Sequence, residues 1–298
     1  MAKPIICIGE SINIMSSKIG PAIKEKFAEP IKKMAKEQVE KGADYLDLNI
    51  GPAKKDGKEI AEWIVKIVEE EVDVPISLDT TNPEAMIAGL KVSKNPKKFL
   101  MNSITLQPER INKLVDVAAE FGCEVVALLY SAKGLPRDAN ERASLAVDLI
   151  MKLNLAGIPN EKIWVDPVII PITLGAEQIL EALKFLSMLK DIAPGTKSIV
   201  GLSNVSSGIS TKLRPYLNRV LLMMLMKYDL YGAILNVYDT ELVEIAKGKR
   251  PEWIEFVHKV MDGFEPDVSG LSSKELEIYK TINVLLGKTI FSEFWLEL

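Results

Sequence analysis

The chain has 298 residues, 48% hydrophobic and 26% charged, enough to bury a large core as one domain. Its 37 Lys and Arg against 41 Asp and Glu leave a formal charge of −4, with no segment that concentrates basic residues, which argues against a nucleic-acid partner. The N-terminal apolar run is too short for a signal peptide, and the most apolar helix, Val220 to Met226, lies between Arg219 and Lys227, so no membrane span is expected. Cys7 and Cys123 sit in or beside apolar runs with no Cys or His near them, which speaks against a disulfide or a zinc site and for a reducing cytoplasm.

Short β-branched or apolar runs alternate along the chain with segments of helical period. The predicted strands are PIICIGE (Pro4–Glu10), YLDLNIG (Tyr45–Gly51), PISLDTT (Pro75–Thr81), FLMNSIT (Phe99–Thr105), EVVALLY (Glu124–Tyr130), IWVDPVI (Ile163–Ile169), SIVGLSNV (Ser198–Val205) and GAILNVY (Gly232–Tyr238). Between them, KMAKEQVEKG ends on Gly42 as a helix C-terminus does, and NPEAMIAGLKVS starts with Asn82 as N-cap and Pro83 at the first helical position. Strands that each lead into a helix predict an α/β fold, a single-domain (β/α)₈ TIM barrel over residues 1–298. After Tyr238 the pattern changes, and residues 247–274 read as an irregular insertion before a final helix near Glu275–Leu286.

Chemistry in such a barrel belongs at the C-terminal ends of the strands. The polar residues closing the apolar runs are Glu10 and Asn13, Asp47 and Asn49, Asp79, Asn102, Asp166, and Asn204 with Ser203 beside it. Asp47 and Asn49 are two apart and share one face of their strand. Any one such residue could simply cap a helix or satisfy a turn. Carboxylates and amides converging from six strands, with hardly an Arg or Lys among them, instead predict a pocket that hydrogen-bonds a neutral, nitrogen-rich heterocycle. No His and Cys cluster exists to hold a metal. The lone histidine, His258, reads as an ordinary helix or surface residue, and Met223, Met224 and Met226 read as core.

The strings GESIN, LDLNIGPA, LDTTNPEAMIAGLK, MNSIT, GLPRDANER, VDPVIIP and GLSNVS stand in this order, within a resemblance that covers roughly Ile5 to Leu242 plus the last helix. Together they resemble the methyltetrahydrofolate:corrinoid/iron–sulfur protein methyltransferases of the acetyl-CoA pathway, which belong with the pterin-binding barrels that include the folate domain of cobalamin-dependent methionine synthase and dihydropteroate synthase. The resemblance implies that Asp79, Asn102 and Asp166 hold the amino-pyrimidinone edge of the pterin and that Asn204 contacts its nitrogen five, beside the methyl group. It implies 5-methyltetrahydrofolate as substrate, a corrinoid carried by a separate protein as methyl acceptor or donor, and a homodimer. Glu10, Asn13, Asp47, Asn49 and Ser203 are expected to complete the substrate site. One departure is Ser11, which stands where that family carries an arginine.

Asn204 fits the chemistry of methyl transfer from a tertiary amine, because an amide can accept from a protonated nitrogen and donate to an unprotonated one. Two other readings stay open in the sequence. A dihydropteroate-synthase-like enzyme would need cations for a pyrophosphate, and Lys212 and Arg214 lie near LSNVSSGIS. A non-catalytic pterin- or phosphate-binding barrel would use SSGIS as a backbone anion nest.

Overall fold

Each predicted strand forms one stave of a closed parallel barrel, described for residues 3–297 in a computed structural model of the protein. The strands are β1 Ile6–Asn13, β2 Tyr45–Gly51, β3 Ile76–Thr80, β4 Leu100–Ile104, β5 Glu124–Leu128, β6 Ile163–Asp166, β7 Lys197–Gly201 and β8 Gly232–Leu235. They pair in chain order, and β8 closes onto β1 through Ile6–Gly232, Cys7–Ala233 and Ile8–Ile234. Helices follow the strands and cover the outside, so the staves are buried on both faces, as their near-continuous apolar runs require.

Helix signals act where the sequence places them. Asn82 caps the helix Pro83–Val92 by accepting from the backbone N–H groups of Glu84 and Ala85, and Gly42, at φ +101°, follows the helix Ala28–Glu40. The helix Arg214–Met226 buries Met223, Met224 and Met226 in the core.

Inside the barrel the side-chain period of two divides the lumen into a floor and a mouth. Ile8, Leu100, Val126, Trp164 and Ile199 form an apolar plug, with Ile6, Tyr45 and Ile234 packed against it. Two residues further along five of these strands stand Glu10, Asn102, Leu128, Asp166 and Gly201, and two beyond Tyr45 stands Asp47. All six line the cavity above. Trp164 dominates the floor: it is fully buried, meets Tyr45 and Tyr231 edge-on at 5.7 and 4.8 Å, and carries the Lys197 ammonium 4.9 Å from its ring. Gly232 makes room for it, since a Cβ there would lie 2.8 Å from the indole.

Several strand boundaries differ from the sequence reading; the sixth ends at Asp166 and the eighth at Leu235, each three residues before the predicted end. The first strand starts at Ile6 and runs to Asn13, with a register shift between Gly9 and Ile12. The seventh ends at Gly201, and Leu202–Ser206 turns into a 3-10 segment, so Ser203 and Asn204 stand on that turn rather than on a strand. The stretch 247–274, expected to be irregular, contains the helix Pro251–Met261, whose buried Ile254, Val257 and Val260 repeat at helical spacing. His258 anchors it, its Nε2 lying 2.9 Å from the carbonyl of Met223. The final helix runs from Ser273 to Leu285.

Because Trp164 fills the floor, Trp164→Ala should destabilise the protein by about 3–5 kcal/mol, read as a lowered midpoint in chemical denaturation. An unchanged midpoint would mean that the floor carries little of the stability.

Candidate functional site

The mouth of the barrel encloses a cavity of about 680 Å³, and all nine sequence-predicted site residues line it: Glu10, Asn13, Asp47, Asn49, Asp79, Asn102, Asp166, Ser203 and Asn204. The strand registers explain the convergence. Asn49, Asp79 and Asn102 are partners across β2, β3 and β4, while Asp47 lies one inward position deeper on β2 beside Ser77. Glu10 reaches the cavity from the register shift in β1.

Hydrogen bonds fix most of these groups before any ligand arrives. Asn49 donates to Asp79 Oδ2 at 2.5 Å, and Ser77 donates to Asp47 Oδ1 at 2.6 Å, an oxygen that also accepts from Asn102 Nδ2 at 3.4 Å. Asp166 Oδ1 accepts from the backbone N–H of Val168 at 2.8 Å. That bond braces an uncommon turn, since Val168 is β-branched and holds φ at +65°. Ser203 donates to Glu10 Oε1 at 2.7 Å. Among the described residues Asp79 Oδ1 and Asp166 Oδ2 keep no protein partner, so two carboxylate oxygens face the cavity unengaged.

Burial sets the protonation of these acids. It pushes Asp166 up to about 7, with the nearby charge of Asp79 adding to the effect and the Val168 N–H opposing it. It pushes Asp79 up to about 6, against the lowering influence of the Arg110 guanidinium. Asp47, fully enclosed, is held well above the usual carboxylate range by burial and then by the charge of Asp79. Glu10 is also raised by burial, with the Ser203 hydroxyl and Arg214 acting the other way. A mouth in which two acids, Asp79 and Asp166, titrate near neutrality can accept from ligand N–H groups or donate to ligand oxygens with small free-energy changes.

Asn204 stands apart from this cluster on the turn after β7, with its amide folded over Gly201. A Cβ at Gly201 would lie 3.0 Å from Asn204 Nδ2, so the glycine leaves the amide its place at the rim. No side-chain hydrogen bond to another described residue holds that amide.

The family profile of pterin binding enzymes matches residues 10–228, a span that includes every side chain just described. The chain belongs to the pterin-binding enzymes. It is 26% identical over 241 residues to a methylcorrinoid:tetrahydrofolate methyltransferase of Eubacterium limosum, covering 80% of this chain and 88% of that one. It is 28% identical over 297 residues to the methionine synthase of Mycobacterium tuberculosis, an alignment that takes in 91% of this chain but only 24% of that much longer protein. Dihydropteroate synthases share the fold. The Xanthomonas albilineans enzyme, solved with indole-2-carboxylic acid and 6-chloroguanine, superposes with a TM-score of 0.63 at 18% identity over 84% of this chain and 92% of that one. The Thermus thermophilus enzyme, solved with 6HMPPP, gives 0.60 at 20% identity over 85% and 95%.

The structure of this pterin-binding enzyme adds to the polar strand ends one arginine that comes from a helix. Arg110, on the helix Pro108–Phe121, lines the cavity and is 6% exposed. Its Nε donates to the carbonyl of Ser103 at 3.1 Å, and its Nη2 donates to that carbonyl and to Thr80 O. It therefore clamps the ends of β3 and β4, next to Asp79 and Asn102, and its Nη1 keeps no protein partner. Arg142, fully buried on the helix Ala139–Leu155, does the same for β6: its Nε donates to Pro167 O at 3.0 Å, beside Asp166. Among the described residues no three His, Cys, Asp or Glu side chains group as a metal site, and no helix is long and apolar enough to cross a membrane.

The raised acids have a consequence for stability. Asp166 titrates near 7 in the folded protein and an unfolded aspartate near about 3.9, so between those values the folded state binds more protons. Stability therefore falls as pH rises through that window. Asp166→Asn, which keeps the acceptor for Val168, should stabilise the protein at about pH 8 by on the order of a few kcal/mol, read as a higher thermal midpoint, with the gain shrinking towards about pH 4. A melting curve equally shifted at both pH values would contradict the raised pKa.

Proposed function

We propose that the protein is a methyltransferase that moves the methyl group between nitrogen five of 5-methyltetrahydrofolate and the cobalt of a corrinoid carried on a separate protein. The observation that carries this reading is the division of one cavity into two parts. A cluster of braced carboxylates and amides suits the amino-pyrimidinone edge of a pterin, and an amide that no hydrogen bond holds, Asn204, stands on the turn after β7 at the rim. The free oxygens of Asp79 and Asp166 can accept from the ring amino group and its neighbouring N–H. Asn102, steadied by Asp47, can serve a ring oxygen or nitrogen.

The reaction accounts for an amide at position 204. Methyl transfer breaks the carbon–nitrogen bond, leaves the electron pair on nitrogen five and needs a proton there. The methyl forms its new bond to the cobalt of the partner's corrinoid, which is the second substrate. Nitrogen is a poor leaving group unless it is protonated or strongly hydrogen-bonded, so a group that follows the proton stabilises the transition state more than the bound substrate. Asn204 can accept from the protonated nitrogen and, by turning over, donate to the unprotonated one. Asp79 and Asp166 hold the ring and tune the network from the other edge.

The name of the Eubacterium limosum relative, matched over most of both chains, supports this activity. The dihydropteroate-synthase reading is weaker here. No lysine lines the cavity among the described residues, and its one arginine, Arg110, is engaged with the carbonyls of Thr80 and Ser103. The soluble setting expected from the sequence and a homodimer belong to the same proposal, on the resemblance alone.

The test is methyl transfer from 5-methyltetrahydrofolate to a reduced corrinoid protein, followed by the change in the corrinoid spectrum, beside equilibrium binding of the folate. Asp79→Ala and Asn102→Ala should each weaken folate binding by about tenfold or more, because each leaves one polar group of the ring unpaired at about 1–3 kcal/mol. Wild-type affinity in both variants would remove these residues from the pterin site, and absence of transfer with folate bound would end the methyltransferase reading.

A further inference from the structure

The first strand carries two site residues at a spacing that a regular strand does not allow. Glu10 and Asn13 are three apart, so strict alternation would send them to opposite faces, yet both line the cavity at the mouth. The register shift resolves this. Gly9 pairs with Leu46 and Ile12 with Leu48, so Glu10 and Ser11 together stand opposite Asp47 alone, as in a β-bulge. Past the extra residue Ile12 joins the main core with its partner Leu48, and Asn13 pairs with Asn49 at the mouth. Without the bulge, the alternation that sets Ile8 in the floor and Glu10 above it would bring the apolar Ile12 into the mouth and turn Asn13 away.

A bulge takes backbone groups out of the ladder, and other groups must take them up. Here the backbone N–H of Ser11 donates to Gln38 Oε1 at 3.0 Å. Gln38 belongs to the helix Ala28–Glu40 and is fully buried. Gly9 gives it access, since a Cβ there would lie 2.6 Å from that same oxygen. The amide is held for its oxygen alone, because its Nε2 has no hydrogen-bond partner. Glu10, inside the bulge, accepts from Ser203, the neighbour of Asn204 on the turn after β7.

We propose that Gln38, with Gly9 beside it, is a positioning residue for methyl transfer: it pins the bulge of β1, which aims Glu10 at Ser203 and so steadies the turn that carries Asn204. Gln38 is not among the described residues that line the mouth, so it acts through the strand. The inference rests on the reading given under Proposed function.

The experiment is single-turnover methyl transfer from 5-methyltetrahydrofolate to a reduced corrinoid protein, beside equilibrium binding of the folate. Gln38→Leu, which keeps the bulk and removes the acceptor, should lower the rate constant by about tenfold or more, the scale on which small misplacements act. Folate affinity should change less, because Asp79, Asn102 and Asp166 stand on other strands. Gln38→Glu keeps an acceptor oxygen, and burial favours its neutral form, so it should retain most of the wild-type rate. Gly9→Ala displaces the same acceptor and should slow transfer as Gln38→Leu does; it carries the test if Gln38→Leu fails to fold. Made in a Glu10→Ala background, Gln38→Leu should cost a much smaller factor, whereas a merely structural residue would slow both backgrounds alike. Wild-type rates in Gln38→Leu and Gly9→Ala would overturn the positioning role and leave the methyltransferase reading intact. So would equal losses with and without Glu10, or a Gln38→Glu rate as low as that of Gln38→Leu. No transfer by the wild type with folate bound would overturn both.

Discussion

Everything at the mouth of this barrel depends on carboxylates held out of water. Asp47 and Asp166 are buried and Asp79 is half-buried above a floor of Ile8, Leu100, Val126, Trp164 and Ile199, where they are less solvated than surface acids are. Burial raises all three, and the protein answers with hydrogen bonds from Ser77, Asn49, Asn102 and the Val168 N–H rather than with ion pairs. Direct salt bridges to lysine or arginine would lower the acids again and occupy the oxygens that a ring needs. The arrangement is costly to the fold and useful to a neutral ligand rich in N–H groups, which is how a binding site in a stable barrel departs from the optimum for stability alone.

The two buried arginines complete that design by a different route. Arg110 and Arg142 reach the strand ends from the helices Pro108–Phe121 and Ala139–Leu155, and both bond to backbone carbonyls next to the acids. They hold the position of Asp79, Asn102 and Asp166 without neutralising them, although Arg110 is near enough to temper Asp79. Asn204, by contrast, stands on the turn after β7 with no side-chain hydrogen bond to another described residue.

Much of this was legible in the sequence because barrel strands announce themselves twice, by a β-branched run and by the polar residue that ends it. The two-residue spacing of Asp47 and Asn49 was enough to put both on one face, and the cavity lining bears this out. The end of β7 was read too late because Leu202 and Val205 are buried apolar residues that continue the run past Gly201, where the backbone already turns. The helix Pro251–Met261 was hidden by the Pro and Gly residues around it, although its apolar spacing was regular. Arg110 and Arg142 were missed for a plainer reason. A charge in the first turns of an amphipathic helix normally faces water, and only the packing of those helices against the strand ends reveals that these two point inward.

The central claim is that Asn204 serves the leaving nitrogen and not the affinity of the ring. The direct test is the rate constant of a single turnover, methyl transfer from saturating 5-methyltetrahydrofolate to a reduced corrinoid protein, measured for Asn204→Ala beside its folate dissociation constant. The account predicts a rate lowered by about a hundredfold or more with a much smaller change in affinity, as expected when a hydrogen bond made chiefly in the transition state is removed. Loss of affinity alone, with the rate at saturation unchanged, would make Asn204 an ordinary ring contact and contradict the account.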